Sequence, residues 1–356
     1  MSSRTSVAVV IPVRDGDTLA LCLAALLGGH RAPDELVVVD DGSTPPIAPE
    51  SLPTGVRLIR RAAAGPGAAR NAGAAATTAE LLVFVDADVE VKEDTIGRLE
   101  AIYTSSGKAA LQCVYDVDCP VASVPARVHN TLQRRNLLSV GDTSRQGEPH
   151  RNEPHRNEPH RDEPHRDEPH RLRGLSSFCV AIARHAFVAA GGFDERVRRA
   201  TIEDDNLGLA LTGLGYDVWV LPDLTVRHHS RPTAARLLRR MAAMADDRVA
   251  TGALFNTVRS LSSGRTHHRP DFLAAVVMVG LAPFAPPCAG VLLLASLGVQ
   301  WRALAALVAE HGVSTAILGA PLLIGLAGAA AVGSARGLTR RLGRPCRISK
   351  ELSWEP

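Results

Sequence analysis

Asp86 and Asp88, separated by one small residue, close the apolar run Leu81-Leu82-Val83-Phe84-Val85. A continuous run of this kind, rich in β-branched residues, fits a strand buried on both faces of a parallel sheet. Ligands of open α/β sheets sit beyond the carboxyl ends of the strands, and side-chain alternation sends both acids to the same side. A hard divalent cation takes one or two protein carboxylates and completes its shell with water and substrate phosphates. The pair is therefore a candidate Mg²⁺ or Mn²⁺ site, with a solvated acidic turn as the alternative. A second group of acids, Glu203-Asp204-Asp205, opens a helical pattern. Helix dipole and capping account for some acid in a first turn; three in a row exceed that need, and a carboxylate held there suits a general base.

The elements that must position these acids alternate along the chain. Short strands are expected at 6–13, 35–41 and 56–60, with an amphipathic helix over 18–27 between the first two. A Gly65-Pro66-Gly67 turn opens a small-residue helix over 68–78, which leads into the strand ending at Asp86. This spacing makes βαβ units and a largely parallel sheet. Right-handed crossovers then bring Asp40, Asp41, Asp86 and Asp88 to one sheet edge. Further on, the pattern predicts a helix over 93–103, a strand over 111–117 and an amphipathic stretch over 127–138. A second Asp-x-Asp, Asp116 to Asp118, follows a weaker apolar run and is assigned to a loop without a metal role. Order resumes over 175–187; a strand over 218–221 ends at Pro222, ahead of His228 and His229.

Residues 148–172 are tandem copies of a pentapeptide, Glu-Pro-His-Arg plus one residue. A proline every fifth residue forbids a regular helix and the polar composition builds no core. The segment is expected to be a solvated, disordered insertion, with metal binding by its histidines as the alternative. The 356 residues are 46% hydrophobic with a formal charge of +3, too mild to imply nucleic acid. Six scattered cysteines form neither a zinc pattern nor a disulfide framework, which points to a reducing compartment. The first apolar run is too short for a signal peptide.

From Arg231 to Arg259 the sequence suits a basic amphipathic helix, lying on a membrane surface or packed on the domain. The stretches 272–299 and 312–335 carry no charge, and each exceeds the ~20 residues that span a bilayer. Arg259, Arg265 and Arg269 precede them, and Arg336, Arg340, Arg341, Arg344, Arg347 and Lys350 follow. The positive-inside rule sets both outer ends in the cytosol, joined by an external hairpin near 301–311. Pro283, Pro286 and Pro287 kink the first span or make it re-entrant.

These landmarks stand in order: Ile11-Pro12-Val13-Arg14-Asp15, Val38-Val39-Asp40-Asp41-Gly42-Ser43, Ala69-Arg70-Asn71-x-Gly73, and Phe84 to Asp88. Gly191-Gly192-Phe193-Asp194-Glu195, Glu203-Asp204-x-Asn206-Leu207 and Pro222 to His228 complete the series. Across roughly residues 5–255 it resembles the family 2 glycosyltransferases of GT-A fold. The resemblance implies a sugar nucleotide over the sheet edge. Asp40 and Asp41 would contact base and ribose, with Pro12 and Val13 lining the same pocket. Arg70, beside Asn71, would face the nucleotide phosphates. Asp86 would face ribose or metal and Asp88 would hold the metal on the diphosphate. Asp204 would be the general base of one inverting displacement, with Glu203 its competitor for that role. His228 is expected either at the metal or diphosphate or as a structural histidine. Asn206 stands where the family often has Asp. The Gln-x-x-Arg-Trp motif of processive synthases is absent, Arg236–Met241 reading RLLRRM, which favours transfer of a single sugar.

The expected architecture is thus an α/β GT-A domain, Rossmann-like with a mostly parallel sheet, followed by a two-helix transmembrane hairpin. Its parts are a nucleotide-sugar half at 1–147, the repeat at 148–172 and an acceptor half at 173–230. Interface helices at 231–270, transmembrane helices at 271–335 and a basic tail at 336–356 follow. The expected partners are a nucleoside-diphosphate sugar, a lipid-linked or envelope acceptor and the inner membrane, with the catalytic domain in the cytosol. A catalytically silent membrane scaffold or sugar-nucleotide binder is the rival. A nucleotidyltransferase would need a Gly-rich, Lys/Arg-bearing loop after the first strand, which residues 12–16 do not supply.

Overall fold

The computed structural model describes residues 4–138, 168–172, 174–251, 270–284 and 286–342. Its organising feature is one mixed sheet. Among the described residues nine strands pair in it, eight in the order β3-β2-β1-β4-β8-β6-β9-β5, with β7 on β9. They are β1 (Val7–Val13), β2 (Glu35–Asp40), β3 (Val56–Arg60), β4 (Leu81–Val85), β5 (Val89–Glu90), β6 (Ala110–Tyr115), β7 (His170–Leu172), β8 (Cys179–Ala183) and β9 (Val218–His228).

The half from β3 to β4 is parallel, as the βαβ spacing requires. Every residue of β4 is buried, as its unbroken apolar run demands. Antiparallel β8 then sits between β4 and β6, and β9 runs parallel to β6. Helices α1 (Leu19–Gly28), α2 (Pro66–Ala75) and α3 (Thr95–Ser106) belong to the first half. Pro66 starts α2, where its missing N–H costs nothing. Gly65 before it has φ +106°, and a Cβ there would strike the Arg198 backbone, so only glycine fits. Phe84 packs against Phe187 and Phe193, each ring centroid 5.2 Å away, and this cluster fixes the segment after β8 to the sheet.

Two features of the sheet differ from the pattern-based expectation. Pro222 does not end β9. The strand continues to His228 because its register on β6 jumps between Gln112 and Val114, a bulge that absorbs the residues around the proline. The end of the pentapeptide tract is also ordered: His170–Leu172 pairs with Val218–Val220, while residues 148–167 lie outside the described residues.

Helices α4 (Val124–Leu138), α5 (Arg184–Ala189), α6 (Glu203–Gly213) and α7 (Ala234–Thr251) flank the second half. Beyond them come α8 (Pro270–Leu281), α9 (Ala289–Val299), α10 (Trp301–His311) and α11 (Val313–Leu342). The apolar run 272–299 is not one helix. Turns at Ala282–Phe284 and Pro286–Cys288 divide it, because each proline withholds a backbone donor and clashes with the preceding turn. Among the described residues only α11 is by itself long and apolar enough to cross a bilayer, and the pair α9–α10 bends by 57°. A second core joins these helices to α4 and α7 through Val128, Leu237, Leu307, Leu323 and Leu326. The expected hairpin at 301–311 lies against the α/β domain: Thr131 Oγ1 donates to Glu310 Oε2 at 2.6 Å. The flanking Arg259, Arg265, Arg269, Arg344, Arg347 and Lys350 lie outside the described residues.

Candidate active site

The carboxyl ends of β1 and β4, the N-terminus of α6, the end of β9 and one face of α7 enclose a cleft of about 760 Å³. Pro12, Val13, Asp41, Arg70, Asp86, Asp88, Glu203, Asp204 and His228 all line it. The structure therefore gathers nine of the sequence-derived positions from segments more than 200 residues apart. Two others it uses elsewhere. Asp40 is 2% exposed and accepts the backbone N–H groups of Ser43 at 2.8 Å and Ile47 at 3.1 Å. It shapes the loop after β2. Asn71 accepts from the Phe193 N–H at 2.9 Å and donates to the Phe193 carbonyl at 2.9 Å, pinning the Gly191-Gly192 turn against α2.

Asp41 keeps a place in the lining while accepting the N–H groups of Ala64 and Gly65 at 3.0 and 2.8 Å. Arg70 is buried at the floor. Its Nη2 donates to Asp86 Oδ1 at 2.6 Å, and its Nη1 lies 3.5 Å from Glu203 Oε1. Burial works against its charge, yet Asp86 and Glu203 outweigh burial and raise its pKa. Arg70 thus ties the acid-tipped strand β4 to the first turn of α6. Its buried Nε has no hydrogen-bond partner among the described residues.

Asp88 and His228 form the second pair. His228 is stacked on Tyr115, centroids 4.5 Å apart and planes 10° from parallel. Its Nδ1 lies 2.8 Å from Asn130 Oδ1, and the Asn130 amide donates to Cys119 Sγ at 3.1 Å. That amide orientation makes Nδ1 the protonated nitrogen. Nε2 faces Asp88 Oδ2, 3.4 Å away. With Nε2 deprotonated, this ring nitrogen and the carboxylate would together suit a shared divalent cation. Burial would raise the Asp88 pKa, but His228 and Ser230 reverse this and hold it below its ordinary value, so the acid is a ready ligand. Among the described residues no cluster of three or more His, Cys, Asp or Glu side chains could hold a metal. The residues present fit Mg²⁺ or Mn²⁺, which take few protein ligands and share phosphate oxygens.

Asp204 faces the same cleft from α6. Its Oδ2 accepts the Ser177 N–H at 3.3 Å and its Oδ1 the Asp205 N–H at 2.9 Å. Burial, then the charges of Glu203 and Asp205, push its pKa up to about 7. Glu203 is less available: it is 3% exposed, faces Arg70 and accepts the Thr201 N–H at 2.8 Å. Burial raises its pKa as well. Asp116 lies outside the lining; burial would raise its pKa, but its bonds, led by Lys92, lower it to about 2.

Several lining residues escaped the sequence reading. Tyr115, His129, Gln133 and Ser177 carry no local signal. Arg236 and Arg240 do: their i, i+4 spacing puts both on one face of α7, and that face looks into the cleft. The basic helix, expected either on a membrane surface or packed on the domain, therefore supplies cations to the cleft. His129 belongs also to a second cavity of about 180 Å³, which shares Asp204 and runs between α4, α7 and α11.

The model of the family described as Glycosyl transferase family 2 matches residues 8–185, half of the 356-residue chain. The chain belongs to glycosyl transferase family 2. A curated relative, the uncharacterized glycosyltransferase YibD of Escherichia coli (strain K12), is 37% identical over 98 residues. That match covers 26% of this chain and 28% of YibD. Among solved structures, the mannosyltransferase PcManGT from Pyrobaculum calidifontis, in complex with GDP-Man and Mn²⁺, superposes with a TM-score of 0.51 at 17% identity. The superposition covers 94% of this chain and 88% of that one, and it establishes the shared GT-A fold. Residues 1–349 of S. aureus TarS align over 67% of this chain and 64% of that one at a TM-score of 0.41 and 16% identity.

Proposed function

We propose that this family 2 member is an inverting glycosyltransferase that moves a single sugar from a nucleoside-diphosphate sugar to an acceptor hydroxyl. The observation that carries the reading is the pairing, in one cleft, of Asp88 and His228 at 3.4 Å with Asp204 at a pKa of about 7. One side of the cleft suits a metal-bound diphosphate, the other an acceptor proton.

Pro12, Val13 and Asp41 line the end of the cleft beyond β1 and β2, which suits the base and ribose. Asp88 and His228 would hold Mg²⁺ or Mn²⁺, and Asp86 is oriented beside them by Arg70. When bound, the ion offsets the charge that builds on the leaving diphosphate. The Asp204 carboxylate accepts the proton of the acceptor hydroxyl. The acceptor oxygen bonds to the anomeric carbon while the bond from that carbon to the diphosphate oxygen breaks, its electron pair leaving with the diphosphate. In-line geometry inverts the anomeric centre. Arg236 and Arg240 add positive charge around the leaving group.

The acceptor we infer is amphiphilic, a lipid-linked or envelope molecule. The second cavity supports this: from Asp204 it continues past Leu132, Leu237, Met241, Met244 and Leu326, a lining for hydrocarbon beside a base for a hydroxyl. The exposed apolar residues of α8–α11 support work at a membrane, with the cleft on the cytosolic side.

Calorimetry of the detergent-solubilised protein against UDP-, GDP- and dTDP-sugars, with Mn²⁺ or with EDTA, tests the donor site. Binding of one nucleotide class that EDTA abolishes is expected. A folded sample that binds none of them would remove the enzymatic reading.

A further inference from the structure

Helix α11 runs against the α/β domain from end to end. Near its start, Arg127 of α4 donates to Thr315 Oγ1 at 3.0 Å. Near its end, Arg340 lies 2.8 Å from Asp246 of α7. Between these, Gly319, Leu323, Leu326, Ala330, Gly333 and Gly337 are buried, and their three- and four-residue spacing makes one continuous inward face. The glycines set the approach: a Cβ on Gly333 would fall on the Ala242 carbonyl oxygen, and one on Gly337 on that of Asp246. At 30 residues α11 is about 45 Å long, enough to span. Spanning would carry α4 and α7 into the hydrocarbon, with Arg127, Arg134, Arg236, Arg240 and Arg248. Each charge at the bilayer centre costs about 2.5–3.5 kcal/mol or more. Helices α8 and α9, 12 and 11 residues long, are about 18 and 16 Å, too short for the ~30 Å core.

The opposite faces are apolar and open. Val277, Leu294, Trp301, Val313, Ile317 and Leu318 are 59–71% exposed. The Arg302 guanidinium lies 5.6 Å from the Trp301 ring centre, an amphipathic pair suited to the headgroup level. Arg336 is exposed on α11, and neither α9 nor α11 contains an acidic residue. That charge pattern complements anionic lipid headgroups.

We propose that α8–α11 form an in-plane seat in one leaflet of an anionic bilayer, and that the chain does not cross it. Both the 301–311 segment and the end of α11 then face the side of the α/β domain. The seat is independent of which donor the cleft takes.

The test uses the full chain with Cys288→Ser and Cys346→Ser, carrying either Ala309→Cys or Thr339→Cys. Sealed membrane vesicles with the cytoplasmic face outward are treated with an impermeant maleimide, before and after detergent. Both cysteines are expected to react fully before detergent. Labelling of Thr339→Cys with protection of Ala309→Cys would establish a spanning hairpin and overturn the seat. In a second arm, the double variant Ile317→Lys/Leu318→Lys, altered only on the open face, is floated with phosphatidylglycerol–phosphatidylethanolamine vesicles. A loss of about tenfold or more in bound protein is expected from removing two apolar side chains from lipid. Unchanged binding overturns the proposal, as does a wild-type chain that stays out of the vesicles as a detergent-free dimer, its open face covered by a second copy.

Discussion

Asp88 Oδ2 and His228 Nε2 face one another at 3.4 Å, while the other ring nitrogen of His228 is engaged by Asn130 at 2.8 Å. The two groups come from the end of β4 and the end of β9, and Asn130 comes from α4. Three elements thus set the tautomer and the aim of one imidazole.

Asn130→Ala removes that constraint without touching a ligand atom. Loss of such an outer-shell partner weakens metal binding by about 10–100-fold. Titration of Mn²⁺ in the presence of nucleoside diphosphate checks this, and the unfolding temperature shows whether the fold survives.

Asp204, with a pKa pushed up to about 7, must be ionised to act as base. Transfer should therefore rise with pH through about 7 and level off above it, and Asp204→Asn should lose transfer at every pH. Stability moves the other way. An acid whose folded pKa lies above its unfolded value stabilises the fold fully below the unfolded pKa, near 3.8, and that contribution is lost as pH rises through about 7. Asp204→Asn is accordingly expected to raise the unfolding temperature by a few degrees at pH 8, a gain that disappears below about pH 4. Thermal unfolding at the two pH values measures it.

Arg70 lies between Asp86 and Glu203 and is 3% exposed. Arg70→Met leaves two carboxylates without their cation, one of them buried. Removing one partner of a buried ionic group costs about 3–5 kcal/mol, which denaturant unfolding would register.

Gly333→Val places a branched side chain against the Ala242 carbonyl. Overpacking of this kind costs about 1–3 kcal/mol. Thermal melts should show the loss, and Val332→Ala, on the exposed side of the same helix, should leave the melt nearly unchanged.

Local pattern explains which parts of the molecule could be read in advance. Strands β1–β4 fall within a residue or so of their expected bounds, apart from the acid-bearing turn after Val85, because their apolar runs and the intervening turns need no distant partner. The convergence of Asp41, Asp86 and Asp88 follows from crossover handedness alone. Asp40 and Asp41 are adjacent and chemically identical, so only the loop over residues 43–47 decides that one shapes backbone and the other lines the cleft. Asn71 is likewise committed by Phe193, 122 residues later. The basic stretch at α7 has two working faces, Arg236 and Arg240 toward the cleft and Leu237 toward α11; charge and periodicity show the amphipathicity but not the neighbour. The apolar C-terminal runs meet the length criterion for two spans; the prolines near 283–287 break the first into short helices, and the glycine-lined face of α11 packs on α7, neither of which length and apolarity alone show.

One comparison bears most directly on the account: donor binding and nucleoside-diphosphate release, followed together in wild type, Asp88→Ala and Asp204→Asn with Mn²⁺ present. The account predicts that Asp88→Ala loses metal-dependent donor binding and turnover together, whereas Asp204→Asn binds donor as wild type does but transfers no sugar to acceptor and so releases no nucleoside diphosphate. Turnover by Asp204→Asn at the wild-type rate would contradict it.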